Sequence, residues 1–233
     1  MKPRLLCSLF ATGMVVLGLT GCAEMFPETY HFRMTVEIDT PEGLRTGSSV
    51  YEVRANNKTA LLPEEAKRAW GVKGEAVAVD LPGGRTMFAL LKTGAIHGDL
   101  AGLSMTALDP AFKNDVVESA ARISARQNIR QSAEVRPEDY PMLVTFRNMA
   151  DPTSVARVDP VNLAPSFGAG YRLKRITVAV TDEDVTTGIE KRLGWLAQQR
   201  GALMKVAVRD YPPVGTALPF ATSITETDFQ KGQ

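Results

Sequence analysis

Residues 30–39 alternate strictly between apolar and polar side chains, and this pattern constrains the fold more than any other feature of the chain. Apolar residues stand at every even position from Tyr30 to Ile38, and polar residues stand at every odd position from His31 to Asp39. Because successive side chains of a strand point to opposite faces of a sheet, the pattern predicts a β-strand with one buried and one solvent-facing side. Such half-buried strands are typical of antiparallel sheets.

Turn residues predict two hairpins around this strand pattern. The loop Thr40-Pro41-Glu42-Gly43 connects the first strand to a second strand at 49–54, and Pro82-Gly83-Gly84 connects strands at 75–81 and 85–92. Further strands are predicted at 142–147, 171–181 and 203–208.

Helix signals are fewer. Asp109 followed by Pro110 has the form of an N-cap and a first helical position. Thr187-Gly188-Ile189-Glu190 has the form of a capping box for a helix that ends at Gly201. The buried stripe of that helix would be Ile189, Leu193 and Leu196. The sequence therefore predicts an α+β fold, made mainly of antiparallel β hairpins with one or two packed helices.

The N-terminal segment has the pattern of a secretory signal peptide. Lys2 and Arg4 precede an apolar run over residues 5–19, which is shorter than the roughly 20 apolar residues of a membrane-spanning helix. The run ends in Leu19-Thr20-Gly21-Cys22, which resembles the lipobox of bacterial lipoproteins. This resemblance covers residues 1–22 only.

The lipoprotein resemblance implies an anchor and a location. In that family the cysteine is diacylated and the chain is cut just before it. Cys22 would therefore carry the lipid, with Leu19, Thr20 and Gly21 as the lipobox. The alternative is a plain signal peptide or anchor in which the cysteine is incidental. Ala23 replaces the aspartate that commonly retains lipoproteins at the inner membrane, so the resemblance favours the outer membrane of the cell envelope, with the domain facing the periplasm.

The sequence predicts four parts: a cleaved signal peptide at 1–21, a lipidated tether at 22–29, a single α+β domain at 30–221 and a flexible tail at 222–233. Cleavage removes Cys7 and lipidation consumes Cys22, so the mature chain has no thiol for a disulfide. Its stability must come from a hydrophobic core, which a chain of this length can form. The tether residues up to Tyr30 reach at most about 25 Å, so we expect the domain to stay near the head groups.

Motifs for catalysis and cofactor binding are weak. Gly102-Leu103-Ser104-Met105-Thr106 approaches a nucleophile elbow, but Thr106 replaces the second glycine, and His31 and His97 both precede the serine. Two histidines and no mature thiol do not form a metal-ligand set, so no metal site is predicted. The sequence also lacks a dinucleotide-binding fingerprint, so no cofactor is predicted. The acidic run Asp182-Glu183-Asp184 has the character of a solvated turn. The formal net charge of +1 disfavours nucleic acid as a partner.

One basic pattern is a candidate contact site. Arg122, Arg126 and Arg130 are spaced four residues apart, so a continuous helix would align them as a basic stripe. Such a stripe would suit anionic head groups or an acidic partner. The alternative is a solvated helix face whose arginine stems pack on apolar neighbours.

Two functional hypotheses follow. The first is a membrane-anchored envelope lipoprotein with a non-catalytic binding or assembly role, whose partners are the bilayer, through acylated Cys22, and a membrane-proximal protein. The alternative is an envelope hydrolase that uses carboxylate chemistry. A pocket holding two acids with raised pKa values would favour the enzyme, whereas a flat apolar patch would favour the binding module.

Overall fold

A computed structural model describes residues 27–56, 70–94, 98–113, 115–126, 129–213 and 216–232. Its helices are α1 (Leu100–Leu108), α2 (Val116–Ser124) and α3 (Ala164–Phe167). Its strands are β1 (Glu28–Thr40), β2 (Gly43–Ala55), β3 (Trp70–Glu75), β4 (Val77–Leu81), β5 (Arg85–Thr93), β6 (Ser132–Glu134), β7 (Pro141–Phe146), β8 (Val155–Val158), β9 (Arg172–Thr181) and β10 (Gln230–Lys231).

The strands form two antiparallel sheets. The large sheet has the order β10-β3-β2-β1-β9-β6, and the small sheet has the order β4-β5-β7-β8. The chain passes from one sheet to the other at Ala76, between β3 and β4. The sheets approach closely at Gly47, where an added Cβ would lie 2.2 Å from the carbonyl oxygen of Ala78. The predicted α+β class with antiparallel hairpins is confirmed.

The alternating segment forms β1 as predicted. Its even positions from Tyr30 to Ile38 are fully buried, and β1 pairs with β2 without interruption from Glu28–Ala55 to Thr40–Gly43. The second hairpin turns at residues 82–84, where Gly83 and Gly84 have φ of 75° and 69°. This left-handed backbone is the reason that glycine suits the turn.

The first helices differ from the predicted one. Asp109 follows the last residue of α1, and α2 begins after Asp115, whose carboxylate accepts a hydrogen bond from the backbone N–H of Glu118. The predicted helix start at Asp109 is therefore wrong. Its carboxylate instead accepts hydrogen bonds from Arg122, at 2.7 Å, and from the backbone of Ala111. Asp109 therefore does not cap the start of a helix; its carboxylate holds α2 in place through Arg122.

The predicted helix at 187–201 is also wrong. Residues Ile189–Lys191 form one 3₁₀ turn, and further turns follow it. The apolar residues of the predicted stripe are nevertheless buried: Ile189, Leu193 and Leu196. Gly188, and not Thr187, is the N-cap of this turn; it has φ of 112° and no side chain to cap with. The spacing thus identified buried positions, although the backbone between them is not an α-helix.

The C-terminal segment is packed, in contrast to the predicted flexible tail at 222–233. The ring of Phe229 is fully buried and lies within 6 Å, centroid to centroid, of Phe88, Phe146 and Trp195. β10 pairs with β3 and extends the large sheet. The predicted strand at 203–208 is absent from this described region, although Leu203 is buried and its N–H donates to the carbonyl of Ile224.

Candidate functional site

The signal and lipobox predictions cannot be placed on the fold. Leu19, Thr20, Gly21 and Cys22 lie outside the described residues, as does His97. The described chain begins at Pro27, and β1 begins one residue later. The tether that the lipobox predicts would therefore enter the domain at the start of β1.

Ser104 is a structural residue of the interior. It is fully buried in α1, and its Oγ lies 2.7 Å from the Oη of Tyr30 and donates to the carbonyl of Ala101. Burial also raises the pKa of Tyr30, with the hydrogen bond to Ser104 opposing the shift. A hydroxyl enclosed between α1 and β1 is not offered to a substrate, so the geometry gives no support to a serine nucleophile.

The three arginines of the predicted stripe do not share one helix. α2 ends at Ser124, Arg126 lies in the following turn, and Arg130 has left-handed backbone with φ of 47°. The guanidinium of Arg122 pairs with Asp109, whose side chain is 1% exposed, and also with Glu118. The continuous stripe is therefore not formed, and the charge of Arg122 is used inside the fold.

The outward side of the large sheet carries a dense set of polar side chains, which we call the polar face. Strand pairing places one row of it at Thr29, Arg54 and Gly71 and the next row at Thr181, His31, Glu52 and Lys73. Farther along, Thr35 pairs with Ser48 and Thr177. The polar face is thus the wet side that the alternation in β1 predicts.

A segment that follows β9 crosses this face, and we call residues 182–188 the strap. The Nδ1 of His31 lies 2.7 Å from the carbonyl oxygen of Glu183, and the guanidinium of Arg33 pairs with the carboxylate of Glu183. Thr186 donates its N–H to the carbonyl of Val50 and accepts the N–H of Val50 on its hydroxyl. The middle residue of the acidic run is therefore ion-paired.

Glu75 fixes the end of the strap. Its two carboxylate oxygens accept the backbone N–H groups of Gly188 and Ile189, each at 2.9 Å, and the side chain lies in a polar cleft of about 230 Å³. Burial raises the pKa of Glu75, and the two N–H bonds oppose that shift. Across the cleft, Arg192 pairs with Asp80 through two hydrogen bonds. These contacts replace the local cap that the sequence predicted.

A second, basic cavity of about 310 Å³ lies where β2 and β3 meet, and we call it the Arg54–Lys73 cavity. Glu52 lines it, with one oxygen 2.8 Å from the Nε of Arg54 and the other 3.4 Å from the Nε2 of His31. Burial would raise the pKa of Glu52, but the bonds from Arg54 and His31 outweigh it and lower that pKa. The side chain of Lys73 completes the wall.

Sequence reasoning did not single out Glu52, Arg54 or Lys73. Glu52 and Arg54 are polar positions of the second predicted strand, so its pairing with β1 was the signal that could have placed them beside His31. Nothing local marks Lys73, because its place depends on β3 pairing with β2 across the intervening residues.

The described residues contain no group of three or more His, Cys, Asp or Glu side chains placed to hold a metal ion. None of the described helices has the length and apolar character needed to cross a bilayer. The chain matches no family model, and no curated protein and no solved structure is significantly similar to it.

Proposed function

We propose that this protein is a lipid-anchored module of a bacterial envelope, attached through Cys22, that binds a protein partner close to the membrane and performs no chemistry itself. The observation that carries the proposal is the position of β1. It begins at Glu28, so residues 23–27 alone separate the lipobox cysteine from the sheet. Fully extended, this tether reaches about 20 Å.

The polar face supports a binding role. Its charged groups stand on rigid paired strands, where they are held in a fixed pattern by ion pairs such as Arg175 with Glu37 and Arg54 with Glu52. Rigid placement of charge favours recognition of one complementary surface over others. The exposed apolar residues, in contrast, are scattered: Leu44, Ile129, Val161, Tyr211 and Leu218.

The alternative, a carboxylate hydrolase, has less support. Glu75 has the raised pKa that an acid catalyst needs, but it is 2% exposed and both of its oxygens hold backbone N–H groups. The neighbouring carboxyl, Asp80, has its pKa lowered by the hydrogen bonds from Arg192. This cleft therefore does not hold two carboxyl groups of which one could act as the acid and the other as the base or nucleophile of a glycosidase.

Two photocrosslinking positions test the proposal. Ile129 precedes β6 and lies near the strand ends where the tether enters, whereas Leu44 lies at the opposite end of β1, about 30 Å away along the strand. Both are exposed apolar side chains, so an aromatic photocrosslinker replaces either with little disturbance.

We expect the probe at residue 129 to capture membrane or membrane-proximal proteins in cells, and the probe at residue 44 to capture fewer of them. Crosslinks confined to soluble proteins or to the opposite membrane would overturn the proposal.

A further inference from the structure

We infer that the Arg54–Lys73 cavity binds the phosphate of a lipid head group in the membrane that holds the anchor, and thereby fixes the tilt of the domain. The inference rests on the proposed lipid anchor and adds to it a second, non-covalent contact with the bilayer. The surface that faces the membrane would be the β2–β3 side of the large sheet.

The tether enters beside this cavity. Glu28, the first residue of β1, pairs with Ala55, and Ala55 pairs with Trp70. The next row joins Thr29, Arg54 and Gly71. Arg54 is therefore one row from the strand end to which the tether is attached. The tether is too short to lift this end of the sheet far above the head groups.

Charge is unevenly distributed at this end of the sheet. Arg54 and Lys73 stand on the β2–β3 side, and Arg54 is 62% exposed at its side chain. The exposed acids Asp182 and Asp184 belong to the strap, whose Glu183 pairs with Arg33 of β1. Phosphates attract Arg54 and Lys73, so the domain should tilt with β3 nearest to the bilayer.

The cavity has the chemistry of a phosphate site. Arg54 donates its Nε hydrogen to Glu52, and among the described residues its terminal guanidinium nitrogens make no further hydrogen bond, so they can meet an incoming oxyanion. The carboxylate of Glu52 pairs with the guanidinium of Arg54, and its other oxygen lies 3.4 Å from the Nε2 of His31. Lys73 supplies a second cation from the neighbouring strand, at the pairing position opposite Glu52. With Arg54 and Lys73 positive and Glu52 negative, the lining of the cavity keeps one net positive charge.

Trp70 is a built-in reporter for this geometry. It starts β3 at the tether end, is partly buried and donates its Nε1 hydrogen to Asp99 at 2.7 Å. The chain has two tryptophans, and the other, Trp195, packs in the aromatic cluster with Phe146 and Phe229. A Trp195→Phe variant therefore leaves Trp70 as the single emitting indole.

The test uses the mature lipidated protein with Trp195→Phe, after its mass has confirmed the lipid on Cys22. It is reconstituted into phosphatidylethanolamine–phosphatidylglycerol vesicles with or without bromine on the upper acyl carbons. We expect brominated lipid to quench Trp70 emission by about half. An unlipidated Cys22 would overturn the proposed anchor itself, whereas lipidated protein without quenching would overturn only the inference.

Paired variants test the phosphate contact. Arg54→Gln with Lys73→Gln should reduce the quenching at least twofold, because the cations that hold the β2–β3 side down are lost. The control, Arg45→Gln with Arg172→Gln, removes the same charge from the other end of the sheet, where these residues flank the β1–β2 turn, and should leave quenching unchanged. Equal effects from both pairs, or none from the first, would overturn the inference.

Adding inorganic phosphate distinguishes a site for lipid head groups from a site for free anions. At constant ionic strength, millimolar phosphate should not change the quenching, because the tether keeps head groups at a much higher local concentration. Loss of quenching at that phosphate concentration would show that the cavity prefers a free anion, and would overturn the assignment to lipid.

Discussion

The carboxylate of Glu75 should stabilise a segment that lies more than a hundred residues farther along the chain. Its oxygens accept the N–H groups of Gly188 and Ile189, which are 113 and 114 residues away in sequence. The substitution Glu75→Ala removes both acceptors at once. The side chain of Ile189 is 4% exposed, so the freed N–H groups face a largely closed environment.

The expected cost follows from these two hydrogen bonds. Leaving the buried Ile189 donor without a partner costs about 1–3 kcal/mol, and the partly buried Gly188 donor, which water can reach, adds a smaller cost. Part of this is offset, because the raised pKa of Glu75 shows that burying its charge is itself unfavourable. We expect Glu75→Ala to lower the free energy of unfolding by about 2–4 kcal/mol. Glu75→Gln keeps one acceptor oxygen and should cost less.

Urea unfolding followed by far-ultraviolet circular dichroism measures this change, and hydrogen exchange at residues 188 and 189 shows whether the loss is local. The matched control is Thr187→Ala, in the same segment, because the exposed Thr187 makes no capping bond. It should change stability by less than about 0.5 kcal/mol. A large effect of Thr187→Ala together with a small effect of Glu75→Ala would refute the reasoning and restore a local capping box.

Three further predictions concern other parts of the chain. Phe229→Ala should lower the free energy of unfolding by about 3–5 kcal/mol in denaturant titrations, because it empties the centre of an aromatic cluster; a cost below about 1 kcal/mol would indicate a loosely held C-terminal segment. Burial acts to raise the pKa of Asp109, but hydrogen bonds led by the one from Arg122 outweigh burial and lower that pKa. The ionised carboxyl therefore stabilises the fold at pH values above its unfolded pKa, and this stabilisation is lost as the pH falls through its folded pKa. Asp109→Asn should be less stable than wild type at pH 7, and the difference in the free energy of unfolding should narrow in acid. Cys22→Ser should accumulate as an uncut, unlipidated precursor on immunoblots, and wild type treated with globomycin should also accumulate as an uncut precursor. Normal maturation of the variant would contradict the lipobox assignment.

The parts of the fold that could be predicted from the sequence are those with local causes. The alternation over 30–39 determines which side of β1 is buried, because each side chain is opposite in direction to the next. The turn at Gly83 and Gly84 needs left-handed backbone, which glycine adopts without strain. Neither inference needs knowledge of a distant residue.

α1 escaped prediction because it is enclosed. Its residues Leu100, Leu103 and Met105 are buried on different sides, and the helix contacts β3, β5, β6 and β9. A helix surrounded by protein has no polar stripe, so it lacks the 3.6-residue periodicity that marks an amphipathic helix. Ser104 is a fully buried polar residue of α1, and its hydroxyl is hydrogen-bonded to the hydroxyl of Tyr30.

The strap and the C-terminal half escaped prediction for a different reason. There, distant side chains satisfy backbone groups that local caps usually satisfy: Arg85 donates to the carbonyl of Phe167, and Trp195 donates to that of Met149. Glu75 does the same for Gly188. Because each bond requires the sheets to be assembled first, no local sequence signal marks it, and the apparent capping box at 187–190 is not formed. The strap should therefore order late in folding, after β3 has joined the large sheet, and its stability should follow that of the sheet junction at Ala76.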